Sequence, residues 1–439
     1  MANTYLTSNI GSPNQQKFTW SVWVKRSALG IEQHIAGNYN SGNRSHLFFH
    51  DSDSLRFYSE LSSSLVIFYN TTRLFRDTSA WYNIVLAVDT TAAGGDRVKF
   101  FINGVRETSF ANSTECNQNT NLSIGTTHYI GTYGGNAGSS TYTFNGSMSH
   151  VHFSDGYCYD ESDFGSTDST TGEWQINTGP NISYGSSGYF ILKDGNTVTD
   201  QSGNSNNFTI NVGSGGGLNK TEDCPSNNFA TFNSLAQTLS GITYSYGNNV
   251  ASMTSDAGQR QSISTLGMPS GKFYAEFRLQ AIGSTGGSYP YVGIVAQEKY
   301  DADMYVGGNG TGWHPTGDIY NGGSNSGSGS TYTTGDIIGV AVDIDNSKLY
   351  WHKNGTYIMS GNPTTGSNGY DISSRTAEGV LGFGVSHWNN NGVWQANFGN
   401  GYFANNPISS AGTNASGIGI FEYDVPAGFT ALSTKGLNE

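Results

Sequence analysis

One pattern occurs once in each half of the chain and restricts its fold more than any other feature. The first copy is Asn83-Ile-Val-Leu-Ala-Val-Asp89, a turn at Gly94-Gly95-Asp96, then Val98-Lys-Phe-Phe-Ile-Asn103-Gly104. The second is Asp336-Ile-Ile-Gly-Val-Ala-Val-Asp343, a turn near Asp345-Asn346, then Lys348-Leu-Tyr-Trp-His-Lys-Asn354-Gly355. Each reads as an apolar strand closed by Asp, a short polar turn, a second strand and an Asn-Gly turn. Asn and Gly both tolerate positive φ, so the pair closes tight hairpins. Two such hairpins in opposite halves of a 439-residue chain predict two β-sandwich domains rather than one large enzyme fold.

Composition agrees. Sixty glycines and only 12% charged residues mark a turn-rich β protein. Aromatics at 13% supply large side chains for a core that is otherwise poor in aliphatics. A net charge of −13 with no Lys/Arg cluster argues against nucleic acid, whose phosphates need basic patches. Cys116, Cys158 and Cys224 are odd in number and widely spaced, which predicts free thiols rather than a zinc site or a disulfide framework. The start, MANTYLTSNIGSPNQQ, lacks the basic and apolar regions of a signal peptide. No apolar run approaches the roughly 20 residues that span a bilayer, so membrane insertion is not expected.

Alternation places the strands. Phe18, Trp20, Val22 and Val24 share one face, with Thr19, Ser21 and Lys25 on the other, where Trp23 breaks the polar pattern. Further strands are expected at 46–50, 55–58, 65–69, 83–88, 98–102, 128–132 and 148–153. No long amphipathic helix is expected; Glu161-Ser-Asp-Phe164 makes at most one helical turn. Residues 161–225 are Gly/Ser/Asn-rich, with isolated strand-like pieces at 188–192 and 207–212, and Gly213-Ser-Gly-Gly-Gly217 as flexible punctuation. They read as a connector that packs on one or both sandwiches. The pattern resumes at 226, with strands near 273–279, 291–296, 337–343, 348–352, 380–385 and 393–398. Asn321–Thr334 reads as an exposed, mobile loop. The fold class is therefore all-β: two antiparallel jelly-roll or β-sandwich domains, 1–160 and 226–439, joined by an irregular connector, 161–225.

Several segments carry a resemblance. Phe18-Thr-Trp-Ser-Val-Trp-Val24, Trp81-Tyr-Asn-Ile-Val-Leu-Ala-Val88, Val98-Lys-Phe-Phe-Ile-Asn-Gly-Val105 and Phe144-Asn-Gly-Ser-Met-Ser-His-Val-His-Phe153 resemble the laminin-G-like, concanavalin A-like jelly roll. Gly271-Lys-Phe-Tyr-Ala-Glu-Phe277, Tyr291-Val-Gly-Ile294, Gly335–Asp343, Leu349–Gly355 and Asn397-Phe398-Gly399 resemble the SPRY sandwich over 235–432. The connector, through Thr171-Gly-Glu-Trp174, Asp200–Phe208 and Asp223–Asn233, resembles virion proteins of tailed bacteriophages, especially marine ones. Those proteins couple the two domains in this order. The resemblance implies a virion appendage: a tail fibre, a receptor-binding protein or a capsid-surface protein.

Carbohydrate binding is the most specific chemistry expected. Sugars stack apolar C–H faces on aromatic rings and offer hydroxyls to polar groups. Tyr129, Tyr133 and Tyr142, and then Trp313, His314, Tyr320 and Trp388, are the candidate contacts, because exposed large aromatics mark contact sites. Trp20, Trp81 and Trp351 read as core. Catalysis is not expected. A retaining glucanase needs two carboxylates about 5–5.5 Å apart. A strand supplies them as Glu-x-Asp-x-x-Glu, and Glu422-Tyr-Asp424 lacks the last member. Asp301 and Asp303 read as a solvated loop. His150 and His152 project from one face as half a metal site, with an interface face the commoner outcome. Calcium is the one candidate cofactor, through Asp51, Asp53 and Asp89.

The expected function is adhesion of a non-enzymatic virion-surface protein, assembled in the host cytoplasm, to host-surface glycans or neighbouring virion proteins. Repetition on the particle would strengthen weak contacts. A homo-oligomer, a trimer above all, suits appendage geometry. Two alternatives stand beside it: a glycan-depolymerising appendage, and a purely architectural capsid or tail component. A secreted cellular lectin is disfavoured by the lack of a signal peptide.

Overall fold

The computed structural model describes residues 4–139, 141–193, 197–213, 217–237, 239–253, 258–283, 290–388 and 391–438, with only the backbone at Asn136 and Trp388. Most of the Gly213–Gly217 punctuation lies outside the described residues. The chain forms two compact units, Met1–Lys220 and Thr221–Glu439.

The first unit packs two antiparallel sheets face to face. Its eight-stranded sheet runs, edge to edge, Phe110–Thr114, Ser64–Leu74, Ser54–Leu61, Asn43–Phe49, Gln33–Asn40, Thr127–Ile130, Thr4–Asn9 and Thr209–Val212. Its six-stranded sheet runs Tyr189–Ile191, Gly146–Asp155, Lys17–Arg26, Tyr82–Asp89, Val98–Ile102 and Val105–Glu107. Phe18, Trp20, Val22 and Val24 enter the core between the sheets, with Leu47, Phe49, Leu55 and Phe57 opposite. The first hairpin forms as expected, Ile84 pairing with Ile102, and Asn103 and Gly104 both take positive φ, 48° and 76°.

The 161–225 stretch adds strands to both sheets. Tyr189–Ile191 extends the six-stranded sheet and Thr209–Val212 borders the eight-stranded one. The segment between them and the core hairpins covers the far face of the six-stranded sheet. Phe164, Tyr159 and Ile182 pack on Val85 and Phe101, and Trp174 donates its indole N–H to Asn83 at 3.1 Å. Thr19, Ser21, Trp23 and Lys25 are all buried, so the expected polar face is not a solvent face. His150 and His152 lie under the same cover, not at an open interface: His152 stacks on Phe190 at 3.9 Å and its Nδ1 lies 2.8 Å from the Tyr184 hydroxyl. Glu161–Asp163 makes the single helical turn expected, of 3-10 type.

The second unit repeats the plan. One sheet runs Ile242–Ser245, Val250–Met253, Gly392–Asn397, Lys272–Ile282, Ile337–Asp343, Lys348–Lys353 and Thr356–Tyr357. The other runs Gln259–Ile263, Leu381–Trp388, Val292–Ala296, Thr311–Trp313, Asp318–Asn321 and Ser324–Ser328. The second hairpin pairs Val340 with Trp351, and its Asn354-Gly355 turn again has positive φ at both residues. Asn321–Thr334 departs from expectation. Ser324–Ser328 pairs with Asp318–Asn321 as an edge strand, because backbone pairing overrides the low strand preference of Ser and Gly. Glu276, buried in this unit, accepts backbone N–H groups of Glu422 at 2.9 Å and Tyr423 at 2.8 Å, and so ties the C-terminal segment to the sheet.

Candidate functional site

The predicted contact residues separate by face. Thr311–Trp313 pairs with Val292–Ala296 on one side and Asp318–Asn321 on the other. Trp313 sits opposite Val292 and Ile319, and all three are core residues. Its ring is fully buried and meets Tyr332 edge-on at 4.8 Å. The expectation that Trp313 stands in an exposed loop is therefore corrected. Successive strand residues point to opposite faces, so a core tryptophan leaves its neighbour outside. That neighbour, His314, meets Tyr291 at 4.8 Å, and Tyr291 meets Tyr320 at 5.6 Å. His314 and Tyr320 thus gather with Tyr291 and Tyr305 on the outer side of their sheet. Trp388 pairs through its backbone with Gln259, and its ring lies outside the described residues.

The first unit brings its three candidates together. Tyr129 pairs with Gly37 in the eight-stranded sheet, and Tyr133 and Tyr142 lie in the loop that follows. Tyr133 packs on His34 at 4.5 Å and His46 at 4.8 Å, and meets Tyr142 at 6.3 Å and Tyr39 at 6.5 Å. Gly37 makes this possible. A Cβ there would stand 2.8 Å from the His46 Cβ and 3.1 Å from that of Tyr133, too close for any other residue without displacement.

Sequence reasoning placed strands at 46–50 and 55–58 but missed that their outward residues continue this face. Leu47 and Phe49, then Leu55 and Phe57, point into the core. Arg44, His46 and Phe48, then Arg56, Tyr58 and Glu60, therefore point out. The signal was present as two adjacent strands alternating apolar with aromatic or charged residues. His46 stacks with Phe48 at 4.9 Å and meets Tyr58 edge-on at 5.2 Å. The Arg44 guanidinium lies 5.1 Å from the centre of the Tyr58 ring and donates to Glu60 at 2.7 Å; Tyr58 also donates to Glu60. Arg56 lies over Phe68 at 5.5 Å.

Burial holds the imidazoles of this face uncharged. It lowers His34, against the pull of Glu32, and drives His46 well below the ordinary histidine value. Burial also opposes the charge of Glu32. The hydrogen bond from His34, with the pull of His50 and Arg56, outweighs it and keeps that carboxyl below its ordinary value. Such a face offers the half-buried rings of Tyr58, Tyr129 and Tyr142 beside hydrogen-bonding groups fixed by their own partners, with His34, His46, Phe48 and Tyr133 buried among them.

Other chemistry finds less support. The Asp424 carboxylate accepts the Thr413 backbone N–H at 2.6 Å, while Glu422 meets Glu276 through its backbone. Asp301 accepts the Asp303 N–H at 3.0 Å, and Asp303 pairs with Arg260 at 2.8 Å. Among the calcium candidates, Asp53 is engaged by Arg26 at 3.1 Å and Arg76 at 3.2 Å, Asp89 by Lys17 at 2.8 Å, and Asp51 by His50 at 2.6 Å. Among the described residues no group of three or more His, Cys, Asp or Glu is placed to hold a metal ion. A cleft of about 620 Å³ in the second unit, lined by Gly329, Lys353, Tyr357, Ile358 and Met359, includes none of the predicted contacts.

Comparison with known proteins bears on the fold. Residues 1–161 match the family model of the concanavalin A-like lectin/glucanases superfamily, of laminin G type. No curated protein matches the chain. Among solved structures, the chain is similar to the SPRY domain of human HERC1, with 16% identity, 34% of this chain and 87% of that chain covered, and a TM-score of 0.28. It is also similar to a heptameric SAP-like pentraxin from Limulus polyphemus, with 15% identity, 34% and 69% covered, and a TM-score of 0.26. Stonustoxin is similar with 14% identity, 38% and 27% covered, and a TM-score of 0.28. The chain is thus an all-β protein with a concanavalin A-like jelly-roll sandwich, matched over residues 1–161.

Proposed function

We propose that this protein is a non-catalytic glycan-binding adhesin, displayed on the surface of a tailed-phage virion as an oligomeric appendage. One observation carries the binding reading. Tyr129, Tyr133 and Tyr142 converge with His34, His46, Phe48 and Tyr58 on the outer face of one sheet. Rings of this kind stack on sugar C–H faces, and the bonded Arg44–Glu60 pair beside them offers fixed hydroxyl partners. The virion setting rests on the resemblance of the connector segments.

A glycan array probed with the purified chain tests the binding, with Tyr129→Ala and Tyr142→Ala as controls. Retention of one glycan class by the parent chain, lost in both variants at unchanged melting temperature, is the expected result. Equal retention by all three, or none by the parent, defeats the reading. Antibody labelling of purified particles tests the setting.

An architectural role, in which the chain packs on neighbours, has one favourable observation. The edge strand Thr209–Val212 carries no charge, and exposes Ile210 at 41% and Val212 at 55%. Unprotected edges invite pairing with another strand.

A further inference from the structure

Three residues of the aromatic face are connected so that the positions of their protons are fixed. His34 Nε2 lies 2.8 Å from Glu32 Oε1, and His34 Nδ1 lies 3.1 Å from His46 Nδ1. An ionised carboxylate only accepts, so His34 Nε2 carries the proton of the first bond. A neutral imidazole has one N–H, so His34 Nδ1 is a lone pair and His46 Nδ1 donates to it. That leaves His46 Nε2 as a second lone pair. It is buried without a hydrogen-bond partner, among the rings of Phe48, Tyr58 and Tyr133.

We propose that Glu32 and His34 hold His46 Nε2 as the acceptor for a ligand hydroxyl at the base of the aromatic face, and that the site thereby takes neutral sugars and rejects carboxylated ones. The inference rests on the glycan-binding reading above. A hydroxyl donates to the lone pair; a carboxylate brings a second acceptor to it and is repelled. Arg44, the cation that acts on both imidazoles, is committed to Glu60 at 2.7 Å, and Arg56 donates to Asn70 at 3.1 Å. The hydroxyl enters when Tyr133, which lies over both imidazoles, moves aside.

The same connection makes the polarity depend on one proton. An added proton binds His46 Nε2, the Nδ1 proton of His46 passes to His34 Nδ1, and His34 becomes an imidazolium donating to Glu32 and to His46. His46 Nε2 is then a donor, and carboxylates are accepted. Glu32 favours this uptake. Arg44 opposes it at both rings, and Tyr58, Glu60, Tyr133, Tyr142, His50 and Arg56 surround the group from the neighbouring strands and loop.

Long-range proton–nitrogen correlation spectra of the imidazole-labelled full chain read the relay directly. At neutral pH, His34 is expected protonated at Nε2 and His46 at Nδ1. A His46 protonated at Nε2 overturns the proposal. Glu32→Ala is expected to release the His46 tautomer, and an unchanged spectrum removes Glu32 from the role. Binding of neutral hexaglucan and of hexauronate, measured by calorimetry, reads the selectivity. The parent is expected to prefer the neutral probe at pH 7 and to lose that preference on acidification; His46→Phe should weaken neutral binding roughly three- to tenfold. Preference for the uronate at pH 7 overturns the selectivity. Binding of neither probe, with the stated tautomers, overturns the glycan reading and the ligand assignment together, while His46 protonated at Nε2 overturns the proposal and leaves the glycan reading standing.

Discussion

The two sandwiches spend their aromatic residues differently. The second unit buries Trp313, Trp351 and Trp394 completely, and leaves Tyr291, Tyr305, Tyr320 and His314 on the outer side of one sheet. The first unit buries Trp20 and Trp23, but builds an outer face in which tyrosines, imidazoles, arginines and carboxylates bond to one another. The difference teaches that aromatic content does not mark a contact site. What counts is the face of the pleat on which each ring falls, and the polar partners it finds there.

The sharpest way to break this comparison is Trp313→Ala. If the ring is core, the change costs roughly 3–5 kcal/mol and lowers the melting of the second unit, with glycan binding by the first unit intact. Calorimetry of the variant beside its binding curve measures both. Unchanged melting would return Trp313 to the surface and erase the contrast.

Next in size come Tyr129→Ala and Tyr142→Ala. Each ring is only half-buried, so the expected loss is about 1–3 kcal/mol of binding with little loss of stability. An equal set of losses from Tyr305→Ala and Tyr320→Ala would make the two faces equivalent.

A pH series sharpens the contrast within the second unit. Burial lowers His352 to about 4 and His387 to about 3, from 6.5. Their contribution is complete above 6.5 and is lost as the pH falls toward those values, because the unfolded chain takes up protons first. Glu276 runs the other way. Burial raises it to about 7 from 4.5, despite four donors, so its contribution is complete below 4.5 and is lost as the pH rises through about 7. Between 4.5 and 6.5 the terms partly cancel. Glu276→Gln removes the opposing term, and the rise of stability with pH should steepen by about 1.4 kcal/mol per pH unit. Urea unfolding at each pH measures it; parallel curves for parent and variant would show that Glu276 ionises normally.

The smallest effect is expected of Ile210→Lys, within about 0.5 kcal/mol in stability because the side chain is exposed. Light scattering decides whether it dissociates an oligomer of the parent chain. An unaffected oligomer takes the edge strand out of assembly.

How much could be read from the sequence follows from the range of each signal. The hairpins were legible because alternation and Asn-Gly act over a few residues, and Asn103 and Asn354 adopt the same left-handed turn. Tyr129, Tyr133 and Tyr142 were legible as a group by their closeness in the chain. Trp313 was not, since the three-residue strand Thr311–Trp313, flanked by Gly310 and His314, gives alternation too little length to assign faces. Trp23 and Lys25 read as a polar face broken by one ring. Both are buried, and Phe164 and Trp174, far along the chain, cover Val85, Phe101 and Asn83 on the same side of that sheet, a cover no local pattern reports. His34 and His46 were missed for the same reason: their meeting needs the register of two neighbouring strands.

The strand order of the first unit also has a consequence for its synthesis. Thr4–Asn9 pairs with Thr127–Ile130 on one side and with Thr209–Val212 on the other. A ribosome adding 5–20 residues per second therefore leaves the last flank of that strand unpaired for roughly 10–40 s after the strand emerges. During that interval the nascent chain displays the very edge that the finished protein hides. Many copies translated from one message would lie side by side in that state, so an exchange of strands between neighbouring chains would have to occur before residue 212 is reached.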